Sequence, residues 1–170
     1  MLARREPFDP QFPDNQHVRK LIGLCRAQGI TLERSTVPEQ WLYHPELRTL
    51  YVWEPDLALG SLSYLVVVLA HELGHARDFD RHPQHKALVR GLHWSDTPPA
   101  IEEAAFVEGF YILKELGIPV GLEQYLQMIE SPMDRRVRRR LEETLCCLLS
   151  PPPLCAHAVC GAAGARQASA

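Results

Sequence analysis

The chain has 170 residues, of which 46% are hydrophobic; this is enough for one domain with a hydrophobic core and excludes a disordered protein. Its 18 basic and 21 acidic residues give a formal net charge of −3, which does not indicate direct binding of nucleic acid. The five cysteines are an odd number and lie mostly late in the chain, unlike the disulfide framework of a secreted domain. We therefore expect a reducing, cytoplasmic setting.

The two termini and the most apolar stretch indicate whether the protein is secreted or membrane-bound, and where its domain begins and ends. Residues 1–14 carry charges and prolines without an apolar run, so we expect an N-terminal arm and no signal peptide. Residues 59–70 are too few to cross a bilayer, which needs about 20, so we predict a buried helix and no membrane association. Residues 150–170 are rich in Pro, Ala and Gly, and we expect a flexible tail that contains cysteines. The domain then spans residues 15–149.

A helix and a small sheet are predicted in the first third of the domain. Asn15 is a suitable N-cap for a helix with a regular apolar face, and Gly29 is a suitable end. Three short β-like stretches follow at residues 30–35, 40–43 and 48–53, and the last two are close enough to form a hairpin. We predict a small antiparallel sheet of about three strands.

The rest of the domain is predicted to be helical, with one irregular segment. A long helix covers about residues 61–79 and is apolar in its first half. Residues 80–99 contain three prolines and three histidines and are predicted to be mostly irregular. A second strong helix begins near residue 99 and ends before Gly117, and two shorter helices follow to residue 149. The predicted class is therefore α+β.

The sequence HELGH at residues 71–75 of the long helix indicates metal chemistry. His71 and His75 are four residues apart, so they lie on one helix face and can reach one ion at Zn–N distances of about 2.0 Å. Glu72 lies beside them and can reach a water at the ion without binding the ion itself. A chance match on a surface helix is the alternative, but the apolar run before it places these polar side chains in the core, where they need a purpose. We predict a Zn²⁺ site with Glu72 as the general base.

The third protein ligand that a catalytic zinc usually takes is less obvious from the sequence. The metzincin pattern requires Gly at position 78 and His at position 81, but this chain has Asp78 and Arg81 there. His82 misses that register by one residue. We therefore look for a glutamate on the second strong helix instead.

That helix offers Glu102, Glu103 and Glu108. On a helical wheel Glu102 lies on an apolar face with Ala105 and Gly109, whereas the other two glutamates lie near charged residues. A carboxylate on a buried face needs a partner, so we prefer Glu102 as the third ligand. Glu103 and, after it, Glu108 remain alternatives. Gly109 on the same face would let the two helices approach closely.

These features resemble the gluzincins, zinc peptidases that bind the ion with the two histidines of HExxH and a downstream glutamate. The order of helix, small sheet, HExxH helix and glutamate helix is most similar to the ImmA/IrrE metallopeptidases. The likeness covers roughly residues 16–119, and its specific part is AHELGH at residues 70–75. It implies a zincin-like fold and zinc held by His71, His75 and the glutamate. One departure is Phe106, where many gluzincins have an Asp or Asn that supports a histidine.

The resemblance implies a zinc metalloendopeptidase that acts on a protein or peptide, in this group often a helix-turn-helix transcriptional repressor. Two alternatives stay open: a non-catalytic zincin-fold module that binds a protein, and a minimal gluzincin of broad specificity. An extended substrate would add to the edge of the strand at residues 48–53. The donor for the oxyanion is not assigned by the sequence, which offers four candidates: His82, His85, His93 and Tyr111. The arginine-rich residues 134–143 are expected to form an ion-paired helix face.

Overall fold

The structure is a computed structural model that describes residues 8, 10–130 and 132–149. It confirms the α+β class, with a three-stranded sheet and seven helices among the described residues. The predicted tail and most of the predicted arm lie outside these residues. The elements are α1 (Gln16–Ala27), β1 (Thr31–Arg34), β2 (Leu42–His44), β3 (Thr49–Val52), α2 (Pro55–Leu59), α3 (Leu62–Arg81), α4 (Pro83–Val89), a 3-10 turn (Trp94–Asp96), α5 (Pro99–Glu115), α6 (Leu122–Leu126) and α7 (Met133–Leu149).

The first helix follows the sequence prediction closely. The Asn15 side chain caps α1 by accepting a hydrogen bond of 2.8 Å from the backbone N–H of His17. After the helix ends, Gly29 adopts a φ of 67°, a left-handed conformation that glycine enters without strain. The apolar face is buried as predicted and consists of Val18, Leu21, Ile22 and Cys25.

The sheet corrects two expectations. Its strand order is β1-β3-β2. The predicted antiparallel hairpin of β2 and β3 is confirmed, but β3 is parallel to β1, so the prediction of a wholly antiparallel sheet is wrong. The chain passes from β1 to the far edge and returns by the hairpin into the middle, which makes the central strand run parallel to β1. Because β3 has a neighbour on both sides, the expected edge at residues 48–53 is also wrong, and the outer strands of the sheet are β1 and β2.

Residues 80–99 are more regular than their prolines suggested. They contain α4 and the short 3-10 turn, so the prediction of a mostly irregular segment is wrong in part. Pro83 opens α4, and Pro99 opens α5 in the same way. Proline suits the first turn of a helix because its missing N–H would have no helical partner there. These prolines therefore start helices instead of interrupting them.

The core lies between α3, α5, α1 and the sheet. Ser61 caps α3, and the helix then buries a continuous apolar stripe that includes Leu65, Leu69 and Leu73. Helix α7 packs against α5 and α6, and its arginine-rich segment forms ion pairs such as that of Arg138 with Glu123 of α6. Among the described helices, none combines the length and hydropathy that spanning a bilayer requires.

Helices α3 and α5 touch through their backbones at two glycines. A Cβ atom on Gly74 would overlap the carbonyl oxygen of Ala105, and one on Gly109 would lie 2.8 Å from the carbonyl oxygen of Ala70. The predicted close approach at Gly109 is thus confirmed, and Gly74 supplies its counterpart on α3. Because neither glycine carries a side chain, the start of α5 lies directly beside the HELGH segment.

Candidate metal centre

Three predicted side chains converge between α3 and α5. The Nε2 atoms of His71 and His75 lie 3.3 Å and 3.5 Å from the same carboxylate oxygen, Oε2 of Glu102. The two imidazoles are almost buried, with exposed fractions of 12% and 10%, whereas the Glu102 side chain is 29% exposed. The three ligand atoms therefore face one small space that opens on one side.

These separations suit a tetrahedral metal ion. Ligands at about 2.0–2.1 Å from a tetrahedral zinc ion are separated from each other by about 3.3 Å. The observed 3.3 Å and 3.5 Å agree with that edge length and are longer than most N–H···O hydrogen bonds, whose distances peak at about 2.9–3.0 Å. Two imidazole nitrogens and one carboxylate oxygen also form a donor set that zinc accepts. The cluster of His71, His75 and Glu102 can therefore hold a divalent metal ion.

The pKa values of Glu102 and His75 are shifted in opposite directions by their attraction for each other. Burial alone would raise the pKa of Glu102, but hydrogen bonds and positive charge from His71 and His75 outweigh it and hold that pKa well below its usual range. Burial alone would lower the pKa of His75, but Glu102 outweighs it and raises that pKa, with help from the charges of Glu72 and Asp78. Without a metal, the centre thus favours an imidazolium-carboxylate pair, and a cation can take the place of the proton.

The second nitrogen of each histidine has an unusual environment. The Nδ1 atoms of His71 and His75 are buried and have no hydrogen-bond partner within the described residues. Metal-binding histidines usually donate this N–H to a carboxylate or carbonyl, which fixes the ring. Here aromatic rings lie against the imidazoles instead: Phe106 stacks on His71 at a centroid distance of 3.9 Å, and Phe79 stacks on His75 at 5.6 Å. Phe106 therefore supports the site by packing.

Glu72 lines the same cavity as the three ligand candidates. Its side chain is buried, and its Oε2 accepts a hydrogen bond of 2.6 Å from the backbone N–H of Tyr43 in β2. This contact ties the carboxylate of α3 to the outer strand of the sheet and leaves Oε1 for another partner. The contact with Tyr43 was not foreseen, because nothing in the local sequence indicates which backbone group faces α3.

One cavity of about 530 Å³, within the size range of small-molecule pockets, is lined by His71, Glu72, His75 and Glu102. Strand β2 forms one wall, and α4 with the segment after it forms another. Its floor is the metal-binding cluster. The lining outside the cluster includes Leu42, Tyr43, His44, Lys86, Val89, Arg90 and His93.

The other two glutamates of α5 have different partners. Glu103 lies 3.5 Å from Arg140 of α7, and Glu108 lies 2.7 Å from Arg81 of α3. Their exposed fractions of 17% and 14% are lower than the 29% of Glu102, so the expectation that Glu102 is distinguished by a buried face is wrong. The three glutamates differ in their partners and not in their burial. The structure thus brings Glu102, and neither alternative, to the histidines.

The four candidate oxyanion donors differ in their position relative to the cavity and in their partners. His93 lines the cavity, whereas the Nδ1 atoms of His82 and His85 contact the carboxylate of Asp78. The hydroxyl of Tyr111 is buried and has no partner within the described residues. His93 is therefore the member of this group that is placed to meet a ligand in the cavity.

Searches for related proteins add no identification. Comparisons with protein family models, with curated proteins and with solved structures find no match to this chain.

Proposed function

We propose that this protein is a zinc-dependent endopeptidase in which His71, His75 and Glu102 hold the ion and Glu72 is the general base. The observation that supports it best is the convergence of these three ligand atoms in a cavity that is also lined by the buried Glu72. A purely structural zinc prefers four protein ligands and closes its site. Among the residues that the structure describes, this centre has three ligand candidates, and they line the cavity.

The chemistry is divided between the ion and the protein. When bound at such a centre, Zn²⁺ acts as a Lewis acid that acidifies water and polarises a carbonyl group. Glu72 accepts the proton of the attacking water and passes it to the leaving amine. The hydrogen bond from Tyr43 holds the Glu72 carboxylate in one orientation before the substrate binds. The entropic cost of orienting the base is therefore already met in the folded protein. His93 lines the cavity and is the proposed donor of a hydrogen bond to the substrate.

The substrate is proposed to bind in an extended form along β2. This strand pairs with β3 on one side, and its residues Leu42, Tyr43 and His44 line the cavity on the other. The Tyr43 N–H at this edge already donates to Glu72, so an incoming peptide would bond to the other outward backbone groups of β2, a contact that recognises an extended shape more than a particular sequence. A regulatory protein such as a helix-turn-helix repressor remains the proposed natural substrate, on the basis of the sequence resemblance alone.

Cleavage of a peptide library by the zinc-loaded protein tests this function. Mass spectrometry of new peptide termini should show cleavage by the wild type, and Glu72→Gln should cleave at least about 100-fold more slowly because it lacks the general base. Elemental analysis should find equal zinc in both proteins, since Glu72 does not bind the ion. Equal cleavage by both proteins would contradict the mechanism.

The same experiment separates the alternatives. Cleavage of many unfolded proteins would favour a peptidase of broad specificity. Retained zinc without cleavage of any library peptide or repressor would favour a non-catalytic module, in which the ion only joins α3 to α5.

A further inference from the structure

The corner between α3 and α4 holds a second group of metal-binding side chains. Asp78 lies in the last turn of α3, His82 joins the two helices, and His85 lies in the first turn of α4. The Nδ1 atom of His82 is 2.8 Å from Oδ1 of Asp78, and the Nδ1 atom of His85 is 2.7 Å from Oδ2. The group shares no residue with the centre at the floor of the cavity.

The Asp78 carboxylate lacks a permanent positive partner. Its side chain is only 1% exposed, and its ion-pair partners, His82 and His85, carry charge only when protonated. In the part of the chain that the structure describes, no lysine or arginine forms an ion pair with it; the neighbouring Arg77 and Arg81 pair with glutamates of α5. A buried carboxylate without a balancing charge is strongly unfavourable, so the corner is suited to a bound cation.

The geometry allows an ion to enter and to be bound. The side chains of His82 and His85 are 42% and 28% exposed, so two of the three ligands are accessible to solvent and Asp78 is buried beneath them. Their ring centroids are 5.0 Å apart, close to the 4.6 Å between His71 and His75. The three ligand atoms lie within 4.8 Å of one another.

We propose that Asp78, His82 and His85 form a second site for a divalent transition-metal ion such as Zn²⁺. Two imidazoles and a carboxylate select borderline ions of this class over Mg²⁺ and Ca²⁺, which prefer oxygen ligands alone. Binding requires the histidine tautomers that carry the proton on Nε2. It also requires the Nδ1 atoms to move about half an ångström away from the carboxylate, because tetrahedral ligands are about 3.3 Å apart.

The position of this site gives it a structural consequence for the cavity. Helix α4 begins at the site and carries Lys86 and Val89, which line the cavity wall. An ion bound by Asp78 of α3 and His85 of α4 would hold the two helices at a fixed angle. The second ion therefore stabilises the wall of the cavity without contacting the first centre.

Zinc stoichiometry tests the proposal without any measurement of activity. After equilibrium dialysis against excess Zn²⁺, elemental analysis should find two ions per wild-type chain. Glu102→Gln should retain one ion, and so should His85→Gln. The matched control is Asp80→Asn, which changes an exposed carboxylate on the same helix that pairs with Arg48 and should leave two ions.

A thermal measurement gives a second readout of the same site. Added Zn²⁺ should raise the Tm of Glu102→Gln, and this shift should disappear when Asp78→Asn is added, since the remaining site is then lost. The second site would be overturned by two results together: His85→Gln leaves the zinc content unchanged, and the double variant Glu102→Gln/Asp78→Asn keeps the full Tm shift. Loss of an ion with His85→Gln but not with Glu102→Gln would support this site and contradict the proposed peptidase centre.

Discussion

Phe106 stacks on His71 with a centroid distance of 3.9 Å and an interplanar angle of 26°. The ring covers one face of the imidazole, whose Nδ1 is buried without a partner in the described part of the chain. Aromatic packing, and not a hydrogen bond at Nδ1, therefore holds the plane of this candidate metal ligand.

We expect Phe106→Leu to weaken zinc binding about tenfold, because a flexible aliphatic side chain no longer fixes the plane of His71. Phe110→Leu is the matched control, since Phe110 is equally part of α5 and is buried against Tyr125. Competition with a chromogenic chelator measures both affinities. Equal losses in the two variants would show that general packing, and not the stack on His71, supports the site.

Glu102→Gln should remove the zinc ion of the cavity, whereas Glu103→Gln should retain it. The neutral amide is a poor zinc ligand, and Glu103 contacts Arg140 instead of the histidines. Both substitutions are made in a His85→Gln background, which removes the proposed second site. Elemental analysis at matched purity then measures the zinc bound in the cavity alone. Loss of zinc with Glu103→Gln alone would assign the third ligand to that residue.

Gly74→Ala should lower the free energy of unfolding by about 2 kcal/mol or more, because its methyl group would overlap the backbone of Ala105. Gly23→Ala is the control: a Cβ there meets nothing within 4 Å, and alanine in the middle of α1 should raise stability by about 0.5–1 kcal/mol. Urea unfolding measures both changes. A neutral effect of Gly74→Ala would mean that α3 and α5 are not in backbone contact.

The metal-free protein should gain stability from Glu102 over a limited pH range. The lowered pKa of Glu102 makes its contribution present above its ordinary value of 4.5 and lost as the pH falls. The raised pKa of His75 makes its contribution present below its ordinary value of 6.5 and lost as the pH rises through the folded-state value. With a chelator present, the stability difference between wild type and Glu102→Gln should be larger at pH 5.5 than at pH 8.5. An equal difference at both pH values would argue against the ion pair.

Backbone methylation of a cleaved peptide should reveal whether it pairs with β2. N-methyl groups at residues that donate to the strand should raise KM, whereas groups at the alternating positions should have little effect, because alternate residues of a strand point their N–H groups to opposite edges. Steady-state kinetics on a methyl-scanned series measures this. The same small effect at every position would exclude pairing along β2.

Local spacing in the sequence determined the HELGH side of the site. The separation of His71 and His75 places them on one face of any helix, and the apolar residues before them place that helix in the core. The bounds of α1, α3 and α5 were also predictable, since capping residues and stop signals act within a few residues. None of these features depends on what the helix packs against.

The tertiary structure decided which distant groups meet. Glu102 reaches the histidines because α3 and α5 cross at Gly74 and Gly109, and its partners, not its burial, distinguish it from the other glutamates of α5. The parallel pairing of β1 with β3, the hydrogen bond from Tyr43 to Glu72 and the corner at Asp78 likewise join residues from different elements. Helical and strand periodicity specify the face on which a residue lies, but the contacts of that face are chosen by the packing of the whole chain.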